Sequence, residues 1–121
     1  MNSYFFDTYA IIEMVKGNPA YEPYKKSSIV ISSLNLVECH YHITRKFGLH
    51  LANQLLQELS NCVISFTNED VKAMTQFRIA NMKKDLSFPD CLGYVLAIRT
   101  GLKFLTGDEG FRGMPNVEFV K

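Results

Sequence analysis

No apolar run in this chain of 121 residues approaches the ~20 residues that a membrane-spanning helix needs, so no span is expected. The first residues, Met1-Asn2-Ser3-Tyr4-Phe5-Phe6-Asp7, lack a basic stretch and meet an acid at once, so no signal peptide is read there. Tryptophan is absent and cysteine is scarce. The three cysteines, Cys39, Cys62 and Cys91, are odd in number, widely spaced and set among apolar residues. They read as buried free thiols, which favours a reducing cytoplasm. Linkers, internal repeats and low-complexity stretches are also missing, and the length suits one domain over residues 1–121. Apolar residues make up 47 %, too many for a disordered chain and enough for a core.

Net charge is nearly absent too, at +1, but its distribution carries information. If four of the twelve acids gather in one site, eight remain outside against thirteen Lys and Arg, and the exterior carries +5. An acidic hole in a mildly basic surface suits a metal-dependent enzyme acting on a polyanion.

What is present is an alternation of strands and helices. Tyr4-Phe5-Phe6 is a short apolar strand stopped by Asp7, with Thr8 as the expected cap of a helix ending before Gly17-Asn18-Pro19. A helical turn is expected over 20–26 and a buried strand over Ile29-Val30-Ile31. Ser32 or Ser33 then caps a helix to about Lys46, broken at Gly48. Leu51, Ala52, Leu55, Leu56 and Leu59 form one apolar helix face. Cys62-Val63-Ile64-Ser65-Phe66 reads as a third strand. Thr67 and Asp70 form a capping box for a helix to about Lys83. A further helix starts near Phe88 and ends at Gly101. Phe104-Leu105 is a strand closed by Thr106-Gly107-Asp108, and Val117 to Val120 a last strand at an edge. The pattern predicts an α/β fold with a mainly parallel sheet of four to five strands and helices on both faces. In such sheets the ligand site lies beyond the carboxyl ends of the strands.

That rule selects four acids. Asp7 and Asp108 follow strands, while Glu38 and Asp90 lie early in helices that start beyond the same edge. Each has an ordinary explanation alone. Asp7 suits a helix cap, Asp90 is the N3 residue of a capping box with Ser87, Asp108 suits a turn, and Glu38 suits a solvated helix face. Together they are harder to explain away, because Asp7 follows Tyr-Phe-Phe and Glu38 follows Leu36-Val37. A carboxylate against a core edge is costly unless paired, hydrogen-bonded or metal-bound.

The same residues carry a resemblance. Phe6-Asp7-Thr8, Leu36-Val37-Glu38, Leu86-Ser87-Phe88-Pro89-Asp90 and Leu105-Thr106-Gly107-Asp108-Glu109-Gly110-Phe111 resemble, in order and spacing, the PIN domain of VapC toxins from bacterial and archaeal toxin–antitoxin pairs. The likeness covers nearly the whole chain. It implies a three-layer α/β/α sandwich and a ribonuclease that hydrolyses RNA phosphodiesters to a 5′-phosphate and a 3′-hydroxyl. It also implies a VapB-like antitoxin partner and a homodimer. By that resemblance Asp7, Glu38, Asp90 and Asp108 are the catalytic and metal-binding quartet, with Thr8 and Thr106 as supporting hydroxyls. Asp85 and Glu109 are neighbouring acids able to share a role. Four hard oxygen ligands favour Mg²⁺ or Mn²⁺ over zinc.

Other readings stay open. A PIN nuclease of RNA processing, or a PIN scaffold that binds RNA or protein without cutting, fits the same motifs. A response-regulator receiver needs an Asp at the end of the third strand, where Ser65-Phe66-Thr67 stands instead. Glu38 and His42 are spaced i, i+4, but three histidines without paired cysteines make a weak zinc case. Arg99 and Arg112, near acid-bearing segments, are the candidate RNA contacts. The pairs Lys25-Lys26, Arg45-Lys46 and Lys83-Lys84 suit phosphates or helix ends equally.

Overall fold

The computed structural model describes residues 2–121. Among the described residues there are four strands and five α-helices. In chain order they are β1 (Ser3–Phe6), α1 (Thr8–Lys16), β2 (Ser28–Val30), α2 (Ser33–Phe47), α3 (Leu49–Leu59), α4 (Asn68–Ala80), α5 (Phe88–Thr100), β3 (Lys103–Thr106) and β4 (Val117–Phe119). All strand pairs are parallel, in the order β2-β1-β3-β4. β4 is an edge strand, and the chain reverses its direction of travel across the sheet between β1 and β3.

The layers follow from the two-residue period of a strand. In β1, Phe6 joins a core with Ala10, Ile11, Cys39, Ile43, Ala52 and Leu59, from α1, α2 and α3. Its neighbour Phe5 turns to a second core with Leu92, Leu96, Ala97 and Phe111, backed by Met74 and Phe77 of α4. β3 repeats the pattern, Leu105 entering the first core and Phe104 the second. This is the α/β/α sandwich. Gly93 lets α5 settle on the sheet, since a Cβ there would press on the Phe5 and Phe104 rings at 3.0 and 2.9 Å.

Several local expectations are corrected. The segment 62–66 is not a strand. Val63 makes one parallel bridge to Ile31, whose N–H donates to the Cys62 carbonyl, while the Ile64 N–H donates to the Ile31 carbonyl. Pairing stops because Ser32, the next residue, already caps α2, so no strand continues alongside. The cap of α1 is Asp7, not Thr8: the Asp7 carboxylate accepts from the Thr8 N–H at 2.9 Å. α4 ends at Ala80 rather than Lys83, because the Asn81 side chain donates to the Phe77 carbonyl and a 3₁₀ turn follows. The turn after α1 is a 3₁₀ helix over Pro19–Tyr24. Cys39 and Cys91 are buried free thiols but Cys62 is only half-buried. Burial pushes the Cys39 thiol up to about 12 and the Cys91 thiol to about 11, leaving both unreactive.

Candidate functional site

β1 and β3 are adjacent at the point where the chain reverses across the sheet, which is where open parallel sheets form a crevice. Asp7 follows β1 directly and Asp108 follows β3 by two residues. A cleft of about 500 Å³ opens there, lined by Asp7, Glu38, Asp90 and Asp108 among others. One carboxylate oxygen from each of Asp7, Asp90 and Asp108 lies within 4.8 Å of the others. Glu38 faces the same cleft from α2 and accepts from the Ser87 hydroxyl at 3.4 Å.

Local structure aims these acids. Each of the three aspartates is anchored by a nearby backbone N–H: Asp7 by Thr8 at 2.9 Å, Asp90 by Ser87 at 2.9 Å and Asp108 by Gly110 at 2.9 Å. Helix capping and site building are therefore the same contacts, because each carboxylate uses one oxygen to begin an element and turns toward the cleft. Thr106 couples two of them. Its hydroxyl donates to Asp7 Oδ2 at 2.7 Å and accepts from the Asp108 N–H at 3.1 Å. Gly107 between them has no room for a Cβ, which would collide with the Val120 carbonyl and the Tyr9 ring.

Thr8 also lines the cleft, but its hydroxyl accepts from Asn35 Nδ2 at 3.3 Å instead of serving an acid. Asn35 is fully buried, and its Oδ1 accepts from the Ser32 hydroxyl at 2.7 Å. It thus ties the start of α1 to the start of α2, and so sets Asp7 relative to Glu38. Only its place one turn before Glu38 could have drawn attention to it in the sequence.

The electrostatics are unbalanced. Asp7 is 1 % exposed and Asp90 9 % exposed. Burial, and then the Asp90 charge, hold the Asp7 carboxyl well above the ordinary carboxylate range, with Glu38 adding to the effect. Burial also raises Asp90, with Glu38 and Asp108 pushing the same way and its Ser87 bonds opposing. Among the described residues none of the four acids forms an ion pair. Carboxylates crowded at an edge of low dielectric lack a positive charge, and a cation bound between their oxygens would supply it. The donors are all oxygens, so the cluster could hold a hard divalent metal ion.

The remaining candidates are distributed as follows. Asp85, in the left-handed backbone region at φ 55°, lines the cleft. Glu109 is exposed and engaged by Arg112 and Lys121, each at 2.8 Å, which lower its carboxyl to about 2. Arg99 pairs with Asp70 at 2.7 Å, and neither Arg99 nor Arg112 lines the cleft. His42, Lys16 and Lys46 do line it.

A model of the PIN domain family matches residues 4–117. The chain belongs to the PIN domain family. No curated protein matches this PIN chain significantly by sequence. Among solved structures, a toxin–antitoxin complex from Klebsiella pneumoniae aligns with a TM-score of 0.72 and 18 % identity over 94 % of each chain. VapBC2 from Rickettsia felis, bound to a DNA fragment from their promoter, aligns with a TM-score of 0.70 and 21 % identity, over 98 % of this chain and 99 % of that one. At such identities the likeness establishes the shared fold. No helix among the described residues is long and apolar enough to cross a membrane.

Proposed function

We propose that this PIN protein is an Mg²⁺- or Mn²⁺-dependent endoribonuclease and the toxin of a toxin–antitoxin pair. The observation that carries the reading is the meeting of Asp7, Asp90 and Asp108 from three separate segments within 4.8 Å, with no compensating ion pair among the described residues. Asp7, Asp90 and Asp108 would hold the cation, with Glu38 beside them. When bound, the cation supplies a more acidic water and a positive charge next to the phosphate.

The chain's own residues do the rest. The backbone anchors of the three aspartates fix their carboxylates before any ligand arrives, so little reorganisation is needed. Thr106 holds Asp7 and Asp108 in one orientation. Glu38, which lines the same cleft from α2, would accept a proton from the attacking water. The water oxygen bonds to phosphorus, the P–O3′ bond breaks, and the leaving 3′ oxygen takes up a proton, giving a 5′-phosphate and a 3′-hydroxyl. The two toxin–antitoxin neighbours support a protein antitoxin as partner.

The test is cleavage of a mixed RNA pool with Mn²⁺ or Mg²⁺, with EDTA as control. Wild type should cut, EDTA should stop it, and Asp7→Asn should lose more than about 100-fold. That bound rests on changes to groups that merely support a metal ligand, which already cost 10–100-fold. His42→Ala should have a far smaller effect. Activity that survives in folded Asp7→Asn, or is lost equally in folded His42→Ala, would overturn the mechanism. A wild type inert on every RNA would favour a scaffold role.

A further inference from the structure

The cleft has two ends of opposite charge. α1 begins at the Asp7 cap and ends at Lys16; Glu38 stands in the second turn of α2 and Lys46 near its end. The cleft-lining residues of α2 are Glu38, His42 and Lys46, at i, i+4 and i+8, and those of α1 include Tyr9, Ile12, Glu13 and Lys16, at i, i+3, i+4 and i+7. Both sets are single helical stripes. At ~1.5 Å per residue, each lysine lies roughly 12 Å along its helix from the acidic end. The two helices pack against each other, so their stripes line one continuous trough.

The cationic end keeps an excess of positive charge. Glu13 holds Lys16 at 3.0 Å and accepts from the Asn18 amide at 2.8 Å. Although partial burial opposes it, these bonds and the Lys16 and Lys46 charges lower the Glu13 carboxyl. One carboxylate therefore serves two ammonium groups. Lys46 is exposed and, among the described residues, has neither an ion-pair nor a hydrogen-bond partner. The helix C-termini alone would favour cations at these two positions. They do not account for both lysines lying in the wall of the cleft that holds the acids.

We propose that Lys16 and Lys46 form a second phosphate subsite, which grips the backbone of a single-stranded RNA away from the bond being cut. This rests on the nuclease reading above. Such a contact anchors the chain without reading its sequence. It would also offset the repulsion that an RNA strand meets on entering an acidic cleft.

The experiment is steady-state cleavage of a single-stranded RNA over a range of salt, for wild type, Lys16→Ala, Lys46→Ala, Lys46→Arg and Lys103→Ala. Lys103 is exposed at the opposite end of β3 and serves as a surface control. Each alanine change in the cleft should raise KM roughly tenfold, as for loss of one charge-assisted hydrogen bond, with a smaller change in kcat. The slope of log KM against log salt should flatten by about 0.7 per lysine, the counterion-release value for single strands. Lys46→Arg should restore both, and Lys103→Ala should match wild type. An unchanged KM and salt slope in both alanine variants of an active enzyme would overturn the subsite and leave the nuclease reading intact. A fall in kcat equal to the rise in KM would also overturn it, by placing the lysines at the reacting phosphate. A wild type that cuts no RNA would overturn the nuclease reading itself, and the subsite with it.

Discussion

Asp70 and Asp90 occupy the same local device and meet opposite fates. Each is the N3 residue of a capping box, Thr67 with Asp70 at α4 and Ser87 with Asp90 at α5, and each accepts from the backbone N–H of its cap residue, at 2.8 and 2.9 Å. Both are largely buried, at 4 % and 9 % exposure. Asp70 has Arg99 at 2.7 Å, and although burial opposes it, the Thr67 and Arg99 contacts lower its carboxyl. Asp90 has Glu38 and Asp108 as neighbours and burial raises its carboxyl. One box is closed by a guanidinium; the other faces a cleft with its charge uncompensated. A capping acid becomes a candidate ligand through what the fold sets opposite it, not through its own motif.

The largest break of this comparison is to neutralise each acid in turn. Asp90→Asn should lower Mn²⁺-dependent RNA cleavage by more than about 100-fold, since even supporting groups cost 10–100-fold. Without metal it should leave the melting temperature unchanged or raise it, because a repelling charge is removed. Asp70→Asn should do the reverse. Cleavage should persist, and urea unfolding should show a loss of at most about 1 kcal/mol, because Arg99 is half-exposed and solvent screens the pair. Equal effects of the two changes on cleavage would erase the distinction.

Thr106→Val keeps the shape of a residue that touches both Asp7 and Asp108 and removes its hydroxyl. It should cost 10–100-fold in cleavage at limiting Mn²⁺, with part of the loss recovered at saturating metal. A wild-type rate at limiting metal would mean that the Thr106 bonds do not position the site.

The smallest effect is on pH. Asp7 and Asp90 have folded-state pKa values raised above the unfolded value of about 4, so between the two the folded protein binds more protons. Stability of the metal-free protein should therefore fall as pH rises through that window and recover as pH is lowered toward the unfolded value of about 4. Asp70 and Glu13 are lowered, so their contribution is present above about 4 and is lost only on further acidification. Melting scans in EDTA from pH 8 to 3 should pass through a maximum, and Asp7→Asn should flatten the upper limb. An upper limb unaltered in that variant would remove the acidic cluster as its cause.

Much of the fold was legible because local rules act without competition. The apolar pairs Phe5-Phe6 and Phe104-Leu105, the caps at Ser32, Thr67 and Ser87, and the stop at Gly101 depend on neighbours in sequence. The segment 62–66 was not legible, since whether it pairs depends on how far β2 runs before Ser32 caps a helix. The four acids could be picked out by their place beyond strand ends. Their surroundings could not. Sequence separates Arg99 from Asp70 by 29 residues, so their pairing, which takes Arg99 out of the cleft's lining, was hidden. Lys16 was not singled out and Lys46 only as half of a basic pair. Their common trough arises from the packing of α1 on α2, with Asn35 bridging the two helices to Thr8.

The most direct measurement is calorimetric titration of Mn²⁺ into the metal-free wild type, Asp90→Asn and Asp70→Asn. The account predicts saturable binding to wild type, the same affinity in Asp70→Asn, and loss of binding in Asp90→Asn with its fold intact. Absence of saturable binding to wild type, or Mn²⁺ bound equally well by folded Asp90→Asn, would contradict it.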